Sequence, residues 1–203
     1  MKNHLNTLAS IACLAIIFSS CANNAAYKAS REAAVASSKE TNSKCFIEKK
    51  DGSIAYFQTL ELVTGPFKSP YLLADGKSKI KGSDIIAYQN QHYYAVSQIM
   101  FTNKKVSHVA TETLPGFAVR LAKGKLNIYC AKVYNGHNAV DEFFIQSGNG
   151  KILPYSTELL TEAIKDNPQA YEFFMSADDK GSLPERIHST ARIYNTGQIA
   201  SAR

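Results

Sequence analysis

The residues from which chemistry would have to come are five histidines, four cysteines, and scattered serines and acids. Past His4 the histidines are His92, His108, His137 and His188. No two stand at i, i+2 or i, i+4, the spacings that place two imidazoles on one side of a strand or helix, and there is no H-E-x-x-H. No serine sits in G-x-S-x-G. Ser78 and Lys81 have the literal Ser-x-x-Lys spacing, but in a lysine- and glycine-rich stretch that reads as a turn. Gly148-Asn149-Gly150-Lys151 has the residue types of a phosphate loop without the G-x-x-x-x-G-K-[ST] spacing that wraps backbone amides around phosphate; it reads as a tight hairpin. Asp141-Glu142 and Asp178-Asp179 carry charge that would suit calcium, yet lack the twelve-residue loop of alternating ligands and read as solvated turns. The expectation is no catalytic group, no metal and no cofactor.

Aromatic recognition is the chemistry that remains. The chain has no Trp, but 11 Tyr and 10 Phe. Tyr88, Tyr93 and Tyr94, with Tyr129 and Tyr134, lie in or beside strand-like runs. Rings turned outward would stack on sugars or bind peptide; rings turned inward would fill a core that has no Trp. Tyr88, Tyr93 and Tyr94 are the candidate ligand-binding residues, with both orientations open.

The elements that must position these groups follow from length and patterning. A chain of 203 residues is enough for one domain with a small appendage. At 45% hydrophobic and 20% charged it is neither disordered throughout nor fibrous. The net charge of +6 is spread thinly, densest at Lys49-Lys50, Lys77-Lys79-Lys81 and Lys104-Lys105. Such lysines suit strand edges and turns, where they oppose edge-to-edge pairing, or a patch for anionic lipid or polysaccharide.

The N-terminus reads as an export signal over residues 1–20. A weakly positive start, Met1 to His4, precedes an apolar run from Leu8 to Phe18 and the small residues Ser19-Ser20. The run is too short to span a bilayer, which takes roughly 18–20 apolar residues. Phe18-Ser19-Ser20-Cys21 resembles the lipobox of bacterial lipoproteins, with Phe in place of the usual Leu and Ser in place of Gly or Ala. The resemblance implies that Cys21 is lipidated and begins the mature chain; the competing reading is plain cleavage after Ala22. It also implies an envelope protein held on the membrane through lipid, with outer-membrane sorting because Ala22 rather than Asp follows the cysteine. Nucleic acid is not an expected partner of an exported chain. With Cys13 in the leader and Cys21 taken by lipid, Cys45 and Cys130 remain as a pair in an oxidising compartment, available for a disulfide or as two buried thiols.

Residues 21–43 are Ala-, Ser- and Asn-rich and read as a tether, about 22 residues that span roughly 26 Å as a coil. From 44 to 196 a single α+β domain is expected, followed by a tail over 197–203. Asp51-Gly52, Asp75-Gly76, Gln89-Asn90-Gln91, Lys123-Gly124 and Ser147 to Gly150 separate apolar runs as hairpin turns do, which predicts an antiparallel meander, twisted or partly rolled. Ile54 to Val63 reads as one strand, stopped by Gly65-Pro66. After Pro154 the period becomes helical, with Ser156, Asn167 and Ser182 as N-caps. Ala170, Tyr171, Phe174 and Met175 are expected to line one face, and Ile187, Ala191 and Tyr194 another; Tyr171, Phe174 and Ile187 in particular should cover the sheet.

Gly124-Lys125-Leu126-Asn127-Ile128-Tyr129, Phe144-Ile145-Gln146 and Lys165-Asp166-Asn167-Pro168 resemble stretches of uncharacterised envelope lipoproteins from Bacteroidota-type bacteria. That resemblance implies a periplasmic or surface lipoprotein and carries no active site. The expected function is a membrane-anchored, non-enzymatic binding or envelope-maintenance module with an envelope protein or glycan partner. A hydrolase of envelope glycan or peptide, and an accessory subunit of an outer-membrane assembly, are the alternatives.

Overall fold

The computed structural model describes residues 44–65, 68–102, 112–134, 138–176 and 182–197. The leader, Cys21 and the rest of the tether, Lys104-Lys105, His108, His137 and Asp178-Asp179 lie outside them. Strands come first and helices last, an α+β chain with an antiparallel, open sheet in meander order. The strands are β1 (Cys45–Lys49), β2 (Ile54–Phe57), β3 (Leu60–Gly65), β4 (Lys68–Ala74), β5 (Ser78–Lys81), β6 (Ile85–Gln89), β7 (Tyr94–Ser97), β8 (Phe117–Ala122), β9 (Leu126–Tyr134), β10 (Ala139–Ser147) and β11 (Leu153–Pro154). The helices are α1 (Thr157–Ile164), α2 (Pro168–Met175) and α3 (Leu183–Thr196). Among the described residues no helix is long and apolar enough to cross a membrane.

Eight strands form the main sheet in the order β11-β10-β9-β8-β7-β6-β1-β2, and β3-β4-β5 form a second, smaller one. The expected single strand from Ile54 to Val63 is in fact two, one in each sheet. The break is made by Asp75, whose Oδ1 accepts from the backbone N–H of both Gln58 and Thr59 at 2.8 Å. Those two amides are thereby withdrawn from any ladder, and the chain turns out of the large sheet. Ser78 to Lys81, expected as a lysine- and glycine-rich turn, is instead β5, antiparallel to β4.

One face of the main sheet is buried by the helices and joined by the small sheet. Ile47, Tyr88, Val119, Ile128, Cys130 and Ile145 meet Leu160, Ile164, Ala170, Phe174, Ile187 and Ala191 from the helices and Leu60, Leu72 and Ala74 from the small sheet, in one continuous core. The helices start where their caps place them. Ser156 Oγ accepts from Leu159 N–H at 3.1 Å, Asn167 Oδ1 accepts from Ala170 N–H at 3.0 Å, and Ser182 N–H donates to Glu185 Oε2 at 2.8 Å. Within α2 the buried pair is Ala170 and Phe174, one turn apart. Tyr171 and Met175, expected on that face, are exposed instead. An eight-residue helix packed on one side buries one turn-spaced pair, and the neighbours at +1 rotate about 100° away from it.

The end of α3 is fixed to the sheet by a single amide. Asn195 Oδ1 accepts from Leu126 N–H at 2.9 Å and its Nδ2 donates to Leu126 C=O at 2.8 Å, so the side chain bonds both backbone groups of Leu126. The amide occupies the space in front of Gly124, where a Cβ would fall 2.4 Å from Asn195 Cγ. Gly124→Ala is therefore expected to expel the Asn195 amide and cost about 2–4 kcal/mol, the scale of leaving two backbone groups without partners. Asn195→Ala should cost a similar amount, and the double variant little more than either alone, because both remove the same contact. Denaturant titration of the three variants checks this; additive losses would show that the glycine and the amide act independently.

Candidate functional site

Adjacent residues of a strand point to opposite faces, so the residues that alternate with the core form a second surface. In most antiparallel sheets that surface is polar; here it is aromatic. Phe46 on β1, Tyr56 on β2, Tyr94 on β7, Arg120 on β8, Tyr129 on β9 and Phe144 on β10 make a row that runs across the strands. Phe46 lies 6.0 Å from Tyr56 and 6.2 Å from Tyr94, ring centre to ring centre. The Arg120 guanidinium stands over the Tyr94 ring, 4.1 Å from its centre. Beyond Arg120, Tyr129 and Phe144 are covered by Phe101, whose ring centre is 6.0 and 4.6 Å from theirs. Phe101 is brought there by a parallel bridge to Ile152.

The row is therefore closed at one end and open at the other. Tyr129 and Phe144 are buried, Phe46, Tyr94 and Arg120 are half-buried, and Tyr56 is 62% exposed. Beside the row lie small residues, Ala87, Val96, Ala118 and Ala131, which pack with Tyr94 and Phe101 in a satellite cluster. Small side chains next to large rings leave the rings standing above the sheet surface.

Hydrogen bonds hold the closed end. Tyr129 Oη donates to Gln146 Oε1 at 2.8 Å, and Gln146 Nε2 donates to Gly150 C=O at 2.9 Å. The glycine-rich turn is thus a support for Tyr129. It forms the expected tight hairpin, with Gly150 N–H bonded to Ser147 C=O at 2.9 Å and Gly148 at φ +54°. Burial pushes the Tyr94 phenol up to about 12; nearby Tyr129 and Glu48 add to this and Arg120 opposes it. Burial also raises Tyr129, against the charge and hydrogen bond of Arg120. Both phenols are consequently neutral near pH 7 and can donate a hydrogen bond. The open end offers aromatic faces, phenol hydroxyls and one fixed cation. That is equipment for holding a ligand; Phe46, Tyr56, Tyr94 and Arg120 include no nucleophile paired with a base.

Of the three tyrosines singled out in the sequence, only Tyr94 is in this row. Tyr88 and Tyr93 belong to the core instead. Their rings meet edge-on at 5.9 Å and their hydroxyls at 3.2 Å. Tyr88 Oη accepts from Leu114 N–H at 3.3 Å, and Tyr93 Oη donates to Glu112 C=O. Burial raises both phenols. Parity separates Tyr93 from Tyr94, since neighbours on an extended chain cannot share a face. Phe46, Tyr56 and Arg120 were not singled out. The signal for Arg120 was a lone cation inside the apolar run Phe117 to Ala122.

The remaining sequence candidates do not converge. His92 is exposed in the turn that Asn90 organises, its own N–H and that of Tyr93 both donating to Asn90 Oδ1 at 2.8 Å. His188 is on α3, where burial and Arg192 lower its pKa against a hydrogen bond that the imidazole donates to the Leu121 backbone carbonyl. Ser78 and Lys81 are three apart on β5 and so point to opposite sides. Asp141 and Glu142 are consecutive on β10 rather than in a loop, and also point apart. Among the described residues no group of three His, Cys, Asp or Glu side chains is placed to hold a metal.

Cys45 and Cys130 are both buried, with no disulfide between them. Cys45 is on β1 and Cys130 on β9, with β8, β7 and β6 between them. Four strand spacings separate their backbones by about 19 Å along the sheet, and a bridge needs Cα atoms within about 7 Å. Of the two readings left open by the sequence, this separation fits two separately packed thiols. Burial raises the Cys45 thiol, against an N–H from Leu60, which further quiets it as a nucleophile.

Comparisons with protein-family models, with curated proteins and with solved structures find no match.

Proposed function

We propose that the chain is a membrane-anchored envelope lipoprotein whose folded domain is a non-enzymatic module for binding an envelope glycan. The leader ending at Ser19-Ser20-Cys21 and the polar stretch behind it support the anchor and the tether. The observation that carries the binding role is the open end of the aromatic row. Tyr56, Phe46 and Tyr94 follow one another at 6.0 and 6.2 Å, and Arg120 stands against the last of them. Consecutive ring faces suit the apolar faces of successive sugars, which lose little on leaving water. A partly buried guanidinium supplies several donors to sugar hydroxyls or to an acidic substituent. The neutral phenol of Tyr94 adds a donor without adding charge.

The test is co-sedimentation of the full chain with purified peptidoglycan and, separately, with lipopolysaccharide aggregates. Arg120→Met and Tyr56→Ala should each weaken capture by one of these polymers roughly tenfold or more, the scale of a charged hydrogen bond at about 1.5–3 kcal/mol. Lys79→Ala, on the small sheet, should leave capture unchanged. Parent-like binding by both row variants would sink the proposal.

A further inference from the structure

The four sheet edges are not treated alike. An edge strand exposes unpaired N–H and C=O groups and is ordinarily blunted by brevity, charge or proline. β11 is two residues long and ends in Pro154. β5 carries exposed Lys79 and Lys81, and β3 carries exposed Glu61. β2, the other edge of the main sheet, is Ile54-Ala55-Tyr56-Phe57, with no charge and no proline. Its side chains Ile54 and Tyr56 are 51% and 62% exposed.

Ladder parity shows which backbone groups are open. Lys49 N–H donates to Ser53 C=O at 2.9 Å, so Lys49 and Ser53 are a hydrogen-bonded pair. Ile47 with Ala55 and Cys45 with Phe57 continue that set; Glu48 with Ile54 and Phe46 with Tyr56 are the alternate, non-bonded pairs. The N–H and C=O of Ile54 and Tyr56 therefore point away from β1, and among the described residues no strand lies beyond β2.

We infer that β2 pairs with β2 of a second copy of this chain, antiparallel, about a two-fold axis through Ala55. The segment is self-complementary in that register. Ile54 meets Tyr56 of the second copy, and Tyr56 meets its Ile54, on the same face of the joined sheet. These are the two residues whose backbone groups are open, so both pairs are hydrogen-bonded. Ala55 meets Ala55, and the flanking pairs match Ser53 with Phe57 and Gly52 with Gln58. No charge is set opposite another, whereas like charges directly across a ladder would oppose pairing. Joining the sheets also removes the one unblunted edge among the described residues and sets Ile54 and Tyr56 side by side on one face, where the Tyr56 ring stays open to a ligand. An isologous contact of this kind closes at two copies. The edge is short, so the association is concentration-dependent.

The full chain in mild detergent, with Ala55→Cys, is oxidised and run on a non-reducing gel. The two Cα atoms of a non-hydrogen-bonded pair are about 4.5 Å apart, within the range a disulfide spans. The expected result is a reducible dimer, strongly diminished when Ile54→Lys is added, with Lys79→Cys on an edge of the small sheet giving none. The parent chain should sediment as a dimer at high protein concentration and Ile54→Lys as a monomer with unchanged denaturation midpoint. The inference is overturned if Ala55→Cys cross-links no more than Lys79→Cys. It is also overturned if a photo-cross-linker at position 54 reacts with residues 22–43 of its own chain or with a different protein instead of a second copy.

Discussion

Truncation of Phe174 to alanine is expected to cost about 3–5 kcal/mol of unfolding free energy, the range for removing a buried phenylalanine ring. Phe174 is 2% exposed, near the end of α2, in the core that the helices share with the sheet. Its position is over-determined. The Asn167 cap and Pro168 at the first turn set where α2 begins, Ala170 lets the helix approach closely, and the Arg186 guanidinium of α3 stands 5.3 Å from the ring centre. Loss of the ring leaves a cavity bounded by two helices and a sheet that cannot all move inward. A domain of ordinary stability has about 5–15 kcal/mol in total, so the variant forfeits a large fraction. Tyr171→Ala, three residues earlier and 39% exposed, should cost less than about 1 kcal/mol. Denaturant midpoints at unchanged slope measure both. A loss under about 1 kcal/mol for Phe174→Ala would show that α2 does not hold the helical layer on the sheet.

Serine at position 21 is expected to abolish both lipid labelling and membrane retention. The expectation comes from the leader and from Ser19-Ser20-Cys21, which lie outside the described residues. Only a thiol accepts the diacylglyceryl group in lipoprotein processing, and a serine offers none. Two or three acyl chains hold a protein on a bilayer stably where a single chain is marginal, so the difference should be near total. In a host with lipoprotein processing, labelled palmitate should enter the parent and not Cys21→Ser, and the variant should leave the membrane fraction. Equal retention of the two would reject the anchor. A parent chain that begins at Asn23 and carries no label would establish cleavage after Ala22 in its place.

The local order was legible because local chemistry sets it. Asp51-Gly52, Lys123-Gly124 and Ser147 to Gly150 are turns because the residues that favour them stand between apolar runs, and Ser156, Asn167 and Ser182 begin helices because each offers a side chain or backbone group that completes an unpaired first turn. What misled was contact between distant residues. Ile54 to Val63 is apolar enough for one strand, and it is two because Asp75, sixteen and seventeen residues away from the amides it binds, draws the chain aside. Tyr171 and Phe174 are equally apolar neighbours on a helical period, and only the direction from which the sheet approaches buries one and exposes the other.

By itself the amino-acid sequence determined the strand-then-helix order and the positions of most turns, and it alone carries the proposal of a leader with a polar stretch behind it. All of these depend on composition and on neighbours a few residues apart. Which tyrosines stand on the face away from the helices, which strand is left at an edge, and how far apart Cys45 and Cys130 lie were decided only by the tertiary structure. An alternating strand has two faces of equal standing until something packs against one of them. Here both faces of β1, β7, β8 and β9 are apolar, so the pattern carried no preference. The helices chose the face with Tyr88 and Cys130, and that choice turned Tyr94 and Arg120 to the other side. Sheet order set the rest: β1 joins beside β6, four strands from β9, and leaves β2 outermost among the described residues, with the backbone groups of Ile54 and Tyr56 facing away from β1.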